Sequence, residues 1–188
     1  KSHNFDLVFH YAAVVGVQRT LNNPLDVLKD IDGIKNVLNL SNSANVKRVI
    51  FSSSSEVYGE PVEIPLNEKT TPLNSKLPYA VVKNVGEAYF RSYQKVHGLN
   101  YTIMRFFNTY GPLQSEDFVI PKFIKKALKN EDLTINGNGL QTRTFLYIED
   151  NIDFIALMIK NQECVNKTIN VGSDEEISML DLAKLIIK

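Results

Sequence analysis

The run Val46-Lys47-Arg48-Val49-Ile50-Phe51-Ser52-Ser53-Ser54-Ser55 decides how this chain is read. From Val46 to Phe51 it is apolar, with basic residues only at its entrance and no alternation of polar and apolar positions. That is the pattern of a strand covered on both faces, as in a parallel sheet. Four serines then follow directly. Ligands of parallel sheets bind beyond the carboxyl ends of the strands, so the residues just after each strand carry the functional argument.

Upstream, Phe5-Asp6-Leu7-Val8-Phe9-His10 is a second run of the same kind, ending in small residues. A sheet does not open on a central strand, so an N-terminal piece is expected to precede it. Asn22-Asn23-Pro24 marks a helix start with proline in the first turn, and Leu25, Leu28, Ile31, Val37, Leu38 and Leu40 carry the helix to about Ser43. Downstream, Gly59 to Ser75 is rich in Pro, Asn and Thr and reads as a long loop, a length that usually signals function. Pro78 opens a helix to about His97, with Gly98 as its stop. Tyr101 to Phe107 is a third strand and Ile120 to Lys129 another helix. Leu133-Thr134-Ile135 and Thr144 to Tyr147 read as short strands flanking a hairpin turn at Asn136 to Gly139. A helix over 149–160, a strand at Thr168 to Val171 and a final helix capped by Ser178 complete the chain. Strands alternating with helices predict an α/β protein with a parallel sheet.

Composition narrows the function classes. The 188 residues include 21 basic and 21 acidic ones, for a net charge of zero, and 44% are hydrophobic. That excludes a disordered chain and gives no support for nucleic-acid binding through bulk positive charge. No apolar run approaches the roughly 18 residues that span a bilayer. No basic-then-apolar segment opens the sequence, so a cytoplasmic location is expected. A lone Cys164 allows no internal disulfide, and His3, His10 and His97 are too scattered for a metal site.

The chemistry gathers at Tyr79-Ala80-Val81-Val82-Lys83, where a tyrosine and a lysine four residues apart share one helix face. Such a pair is common on helix surfaces. An adjacent ammonium also favours phenolate over phenol, and an acidified tyrosine is suited to removing a proton from a sugar or alcohol hydroxyl while a hydride leaves the same carbon. Ser54, 25 positions before Tyr79 and at a strand end, is placed to hydrogen-bond the same oxygen.

The combination resembles the extended short-chain dehydrogenase/reductase superfamily, within it the NAD-dependent nucleotide-sugar epimerases and dehydratases of the UDP-glucose 4-epimerase type. The resemblance rests on His10-Tyr11-Ala12-Ala13, Phe51 to Gly59, Tyr79 to Lys83, Arg105-Phe106-Phe107-Asn108-Thr109-Tyr110-Gly111-Pro112, and Gly139-Leu140-Gln141-Thr142-Arg143-Thr144-Phe145. It implies part of a doubly wound, Rossmann-like parallel sheet in 1–112 and mostly a small substrate-binding region, with some segments returning to the sheet, in 113–188. It implies NAD as cofactor and a nucleotide-diphosphate sugar as substrate. Tyr79 is then the acid/base, with Lys83 lowering its pKa and Ser54 and Glu56 completing the catalytic set. Tyr11, Ala12, Ala13, Ser52 and Phe106 lie with Tyr79 and Lys83 along the cofactor, while Asn108 and Arg143 contact the nucleotide diphosphate. A homodimer through the helices at 24–43 and 78–97 is also implied.

Two departures stand out. Asp30 occupies a position where these proteins usually carry asparagine, which puts the local hydrogen-bond support in question. The glycine-rich phosphate loop of the family does not occur in the sequence, and Gly137-x-Gly139 is no substitute. The expectation is a fragment without its leading βα units and tail, which by itself binds NAD poorly, is inactive, and exposes the strand at 5–10. The preferred activity is that of a UDP-hexose 4-epimerase acting through a transient 4-keto sugar. The string Ser54-Ser55-Glu56 leaves UDP-glucuronate decarboxylase or 4,6-dehydratase as the alternative, and a non-catalytic interaction module as the alternative of another class.

Overall fold

The computed structural model of the protein describes residues 4–188, and at residues 17–19 the backbone alone; His3 lies outside the described residues. In chain order the elements are β1 (Leu7–His10), α1 (Val17–Asn22), α2 (Pro24–Leu28), α3 (Asp30–Ser43), β2 (Arg48–Ser54), a 3-10 turn (Ser55–Tyr58), α4 (Pro78–His97), β3 (Asn100–Phe106), β4 (Thr109–Tyr110), α5 (Val119–Leu128), β5 (Thr142–Thr144), β6 (Leu146–Tyr147), α6 (Ile148–Lys160), a second 3-10 turn (Gln162–Cys164), β7 (Lys167–Val171), β8 (Glu176–Ser178) and α7 (Met179–Ile186). They form two compact units, one comprising the residues up to Phe106 with Ala156–Val171, the other Phe107–Ile155 with Gly172–Lys188.

The first unit is a Rossmann-like α/β layer. Its four strands run parallel in the order β1-β2-β3-β7. The apolar run at Val49, Ile50 and Phe51 is fully buried, as is Ile103 opposite Phe51 on β3. Helix α4 lies close against this sheet: a Cβ on Gly86 would come within 2.5 Å of the Phe51 ring, so only glycine allows the approach. Phe51 and Phe90 stack there with centroids 4.7 Å apart. Proline opens α4, and Gly98 ends it in the left-handed region at φ 72°.

The second unit holds two small sheets, β4 with β6 in parallel and β5 with β8 antiparallel. Ile120, Met179 and Leu182 form its core, joined by Ile135 and Phe145.

Three local expectations are corrected. The helix read over 24–43 is two helices, because bonding tightens to a three-residue span around Lys29, whose N–H donates to Asp26 O while Asp32 N–H donates to Lys29 O. Residues 133–135 are not a strand. Ile135 is apolar because it packs into the second core, and Lys126 Nζ ties the segment to α5 through Asp132 O and Thr134 Oγ1. Gly137 and Gly139, at φ 65° and 73°, therefore make a turn but no hairpin: β5 pairs with β8 instead. The strand read as ending at Phe51 also runs on into the serine cluster. Ser52, Ser53 and Ser54 stay in β2, paired with Met104, Arg105 and Phe106 of β3.

Candidate active site

The carboxyl end of β2 and the first turns of α4 converge in the first unit. Helix α4 runs back along the strand, so Tyr79 meets Ser54 while Lys83, one turn on, meets Ser52. The Ser54 hydroxyl lies near the Tyr79 phenol and favours its ionisation. It also caps the 3-10 turn, accepting from the Glu56 N–H at 3.2 Å. Lys83 is buried, and its Nζ donates to the Ser52 carbonyl at 2.6 Å and to the Ser52 hydroxyl at 3.3 Å. The ammonium sits 5.1 Å from the Phe51 ring centroid and 5.6 Å from that of Tyr79.

The electrostatics correct one expectation. Lys83 was expected to acidify Tyr79, yet the phenol stands above its ordinary value of 10.0. Burial is the chief cause; the Ser54 hydroxyl opposes it, and the negative charges of Glu56 and Asp30 add to it. The lysine itself is depressed, with burial pulling its ammonium down to about 8 against the opposing pull of Asp30. Its donors are spent on Ser52 rather than directed at the phenol oxygen, which is why the spacing alone misled.

At the end of β1, His10 is buried and stacks on Phe51 at 5.8 Å, its imidazole held below the ordinary value by burial and then by the charge of Lys83. Tyr11 is partly exposed and meets Phe106 of β3 edge-on at 5.9 Å. Ala12 and Ala13 follow in the turn. Asp30 does support this turn despite its departure from asparagine: its Oδ2 accepts from the Val14 N–H at 2.7 Å. Glu56 is exposed beside the cluster.

Ser52, Ser54, Tyr79 and Lys83 are thus brought together, with Tyr11 and Phe106 on neighbouring strand ends. Asn108 and Arg143 belong to the second unit. Asn108 is exposed, and its Nδ2 donates to Thr144 O at 2.9 Å. Arg143 is exposed on β5, where it donates to Thr142 O at 3.1 Å. Among the described residues no group of three or more His, Cys, Asp or Glu side chains is gathered as metal ligands. No helix among them is long and apolar enough to cross a membrane.

One feature escaped the sequence reading. Glu87 and Arg105 form a buried ion pair, with Arg105 Nη2 2.7 Å from Glu87 Oε2. A signal was present: Arg105 interrupts an apolar strand, and Glu87 extends the face of Tyr79 and Lys83 by one further turn. A charge in a buried strand requires a partner.

Comparison with known proteins gives the same outline. The profile of the NAD dependent epimerase/dehydratase family matches residues 1–172. The putative UDP-glucose 4-epimerase of Methanocaldococcus jannaschii is 36% identical over 188 residues, covering 96% of this chain and 60% of that protein. The UDP-N-acetyl-alpha-D-glucosaminuronate decarboxylase of Bacillus cytotoxicus is 38% identical over 189 residues, covering 95% and 57%. Among solved structures, the UDP-glucuronic acid 4-epimerase from Bacillus cereus, in complex with UDP-glucuronic acid and NAD, superposes with a TM-score of 0.89 at 31% identity, over 96% of this chain and 58% of that one. The chain therefore spans less than two thirds of the length of these relatives.

Proposed function

The chain belongs to the NAD dependent epimerase/dehydratase family, and from that premise we propose that the protein carrying it is a UDP-hexose 4-epimerase acting through a transient 4-keto sugar. The observation that carries this reading is the convergence of the Ser54 hydroxyl, the Tyr79 phenol and the buried Lys83 ammonium at the carboxyl end of β2. The residues present suit the nicotinamide end of NAD. Lys83 offers a buried cationic donor, Tyr11 and Phe106 offer aromatic walls, and Ala12 and Ala13 leave the turn free of bulk. When bound, NAD would accept hydride from the sugar carbon and return it.

Tyr79 would take the proton of the sugar hydroxyl as hydride leaves the same carbon, and give it back when hydride returns to the opposite face. Ser54 would hydrogen-bond the reacting oxygen and hold it against the phenol. Lys83, charged below about pH 8, would favour the phenolate once a ligand draws it off the Ser52 carbonyl. Arg143, with its fixed fork of donors, would pair with the diphosphate, and Asn108 would contact it.

A specific feature favours a second reading. Glu56, beside Tyr79, is a carboxylate of the kind a uronate decarboxylase carries after its hydroxyl residue, and the 38% identical relative bears a decarboxylase name. We also propose a homodimer through α3 and α4, whose outer faces expose Leu40 and Val96; light scattering at twice the protomer mass would support it, and a monomer would refute it. The decisive experiment incubates the full-length protein and NAD with UDP-glucose, UDP-N-acetylglucosamine and UDP-glucuronate. Interconversion of 4-epimers is expected. Release of carbon dioxide from the uronate would replace the epimerase reading with the second one, and no turnover of any sugar would overturn both.

A further inference from the structure

Beneath the site runs a buried chain of hydrogen bonds that the proposed proton transfer does not use. Glu87 has no exposed surface. Its Oε1 accepts from Ser53 Oγ at 2.7 Å and from Arg105 Nε at 2.8 Å. Its Oε2 accepts from Arg105 Nη2 at 2.7 Å and from Arg91 Nη2 at 3.0 Å. Burial works against its ionisation, but Arg105, Ser53 and Arg91 outweigh it and hold the carboxyl below its usual range. Arg105 sends its third donor, Nη1, to the Tyr58 hydroxyl at 2.8 Å, with the guanidinium 4.8 Å over the Tyr58 ring. Tyr58 donates onward to Asn170 Oδ1 on β7 at 2.8 Å. Asn170 in turn holds the long loop, donating from its N–H to Glu68 at 2.7 Å and from Nδ2 to Leu66 O at 3.0 Å.

The two points this chain grips on the sequence are Ser53 and Tyr58. They bracket Ser54 to Val57, the segment that carries the reacting serine and Glu56. A third grip, Glu87, lies one turn beyond Lys83 on α4. A buried ion pair is a weak source of stability, since an apolar pair of equal volume often does as well or better. What such a pair does supply is geometry, because a bidentate arginine–carboxylate contact admits one arrangement.

We propose that Glu87 and Arg105 are positioning residues, which clamp the segment Ser53–Tyr58 onto α4 so that the Ser54 hydroxyl meets the Tyr79 phenol in register. The inference rests on the reading of Ser54 and Tyr79 as reacting groups. Its test therefore has one arm that needs no activity.

In the full-length protein, Glu87→Leu with Arg105→Met removes both charges together and keeps an apolar core. Melting, kcat and KM on the turned-over nucleotide sugar, and the titration of Tyr79 followed by ring-labelled tyrosine NMR are measured against the parent. The expectation is a folded protein whose kcat is down about 10- to 100-fold, the scale of a misplacement near 1 Å, with KM within about threefold. The Tyr79 titration should move to higher pH as the Ser54 hydroxyl leaves the phenol. A folded double variant with both kcat and the Tyr79 titration unchanged would overturn the inference and leave the pair a core contact only. Should the parent turn over no sugar, the proposed function fails, and the titration arm still decides the clamp. If the double variant does not fold, Tyr58→Phe breaks the same chain by one hydroxyl: a lower kcat at unchanged melting supports the clamp, and an unchanged kcat refutes it.

Discussion

The two units hold their candidate residues in opposite ways. In the first, Ser54, Tyr79 and Lys83 are fixed by elements far apart in sequence, and Lys83 is buried on the Ser52 carbonyl. In the second, Asn108 and Arg143 are exposed, and Arg143 donates to the residue just before it. Groups that move protons need a set distance and a controlled dielectric, whereas a phosphate contact needs reach and charge. The contrast predicts that substitutions in the first unit change rate or the pH response, and those in the second change affinity.

The largest test of that contrast pairs Tyr79→Phe with Arg143→Ala in the full-length protein. Loss of the phenol oxygen should lower kcat by about 10²- to 10⁴-fold, the usual range for a general acid–base group. It should cost stability no more than about 1 kcal/mol, the scale of a single hydrogen-bonding group. Arg143→Ala should leave stability within about 0.5 kcal/mol and raise KM for the nucleotide sugar roughly tenfold or more, as expected for a lost charge-assisted bond. If Tyr79→Phe acts on KM alone, or Arg143→Ala on kcat alone, the division between the units breaks.

The next effect is on stability against pH. Lys83 is depressed from 10.5 to about 8 by burial. Below about pH 8 it is charged folded and unfolded, and the folded state bears the full desolvation penalty. Between about pH 8 and 10.5 the unfolded chain binds more protons at this site, so this contribution to stability rises with pH, by on the order of 3 kcal/mol in total. Tyr11 and Tyr79, raised by burial, act in the opposite direction above pH 10. The clean measurement is therefore the difference between parent and Lys83→Met in urea unfolding at pH 7 and pH 9.5. The variant should be the more stable at pH 7, with the gap narrowing at pH 9.5. A constant gap would show that Lys83 is not depressed.

The same contrast explains what the sequence disclosed. Strand β2 and helix α4 were legible because their signals are local: an unbroken apolar run, a proline start and a glycine stop. Ser54, Tyr79 and Lys83 were legible because strand-end position and helical spacing decide which way they face. The direction of the Lys83 donors was not, since it depends on a carbonyl 31 residues away. Nor was the Glu87–Arg105 bridge, which joins α4 to β3 through the interior. Residues 133–135 misled for a related reason: an apolar side chain that fills a core has the same local signature as one that fills a sheet. Asn108 was legible from its place just after β3 and took its role from family resemblance, whereas Arg143 was named through resemblance alone, because an exposed polar residue on a short strand leaves no periodic trace.

The smallest effect concerns Asp30. Its carboxylate acts on three groups of the first unit at once, raising Lys83, Tyr79 and His10 through its charge, while the charge of Glu56 also raises Tyr79. Asp30→Asn removes the charge and keeps an oxygen able to accept the Val14 N–H, so the turn after β1 should stay closed and stability should fall by no more than about 1 kcal/mol. With the charge gone, Tyr79 should ionise at lower pH than in the parent. If the phenolate is the working base, kcat/KM rises with pH as that ionisation proceeds, and the acidic limb of the profile should shift to lower pH in the variant. An acidic limb that stays in place, or moves to higher pH, would mean that Asp30 supports the turn and has no part in setting the proton chemistry.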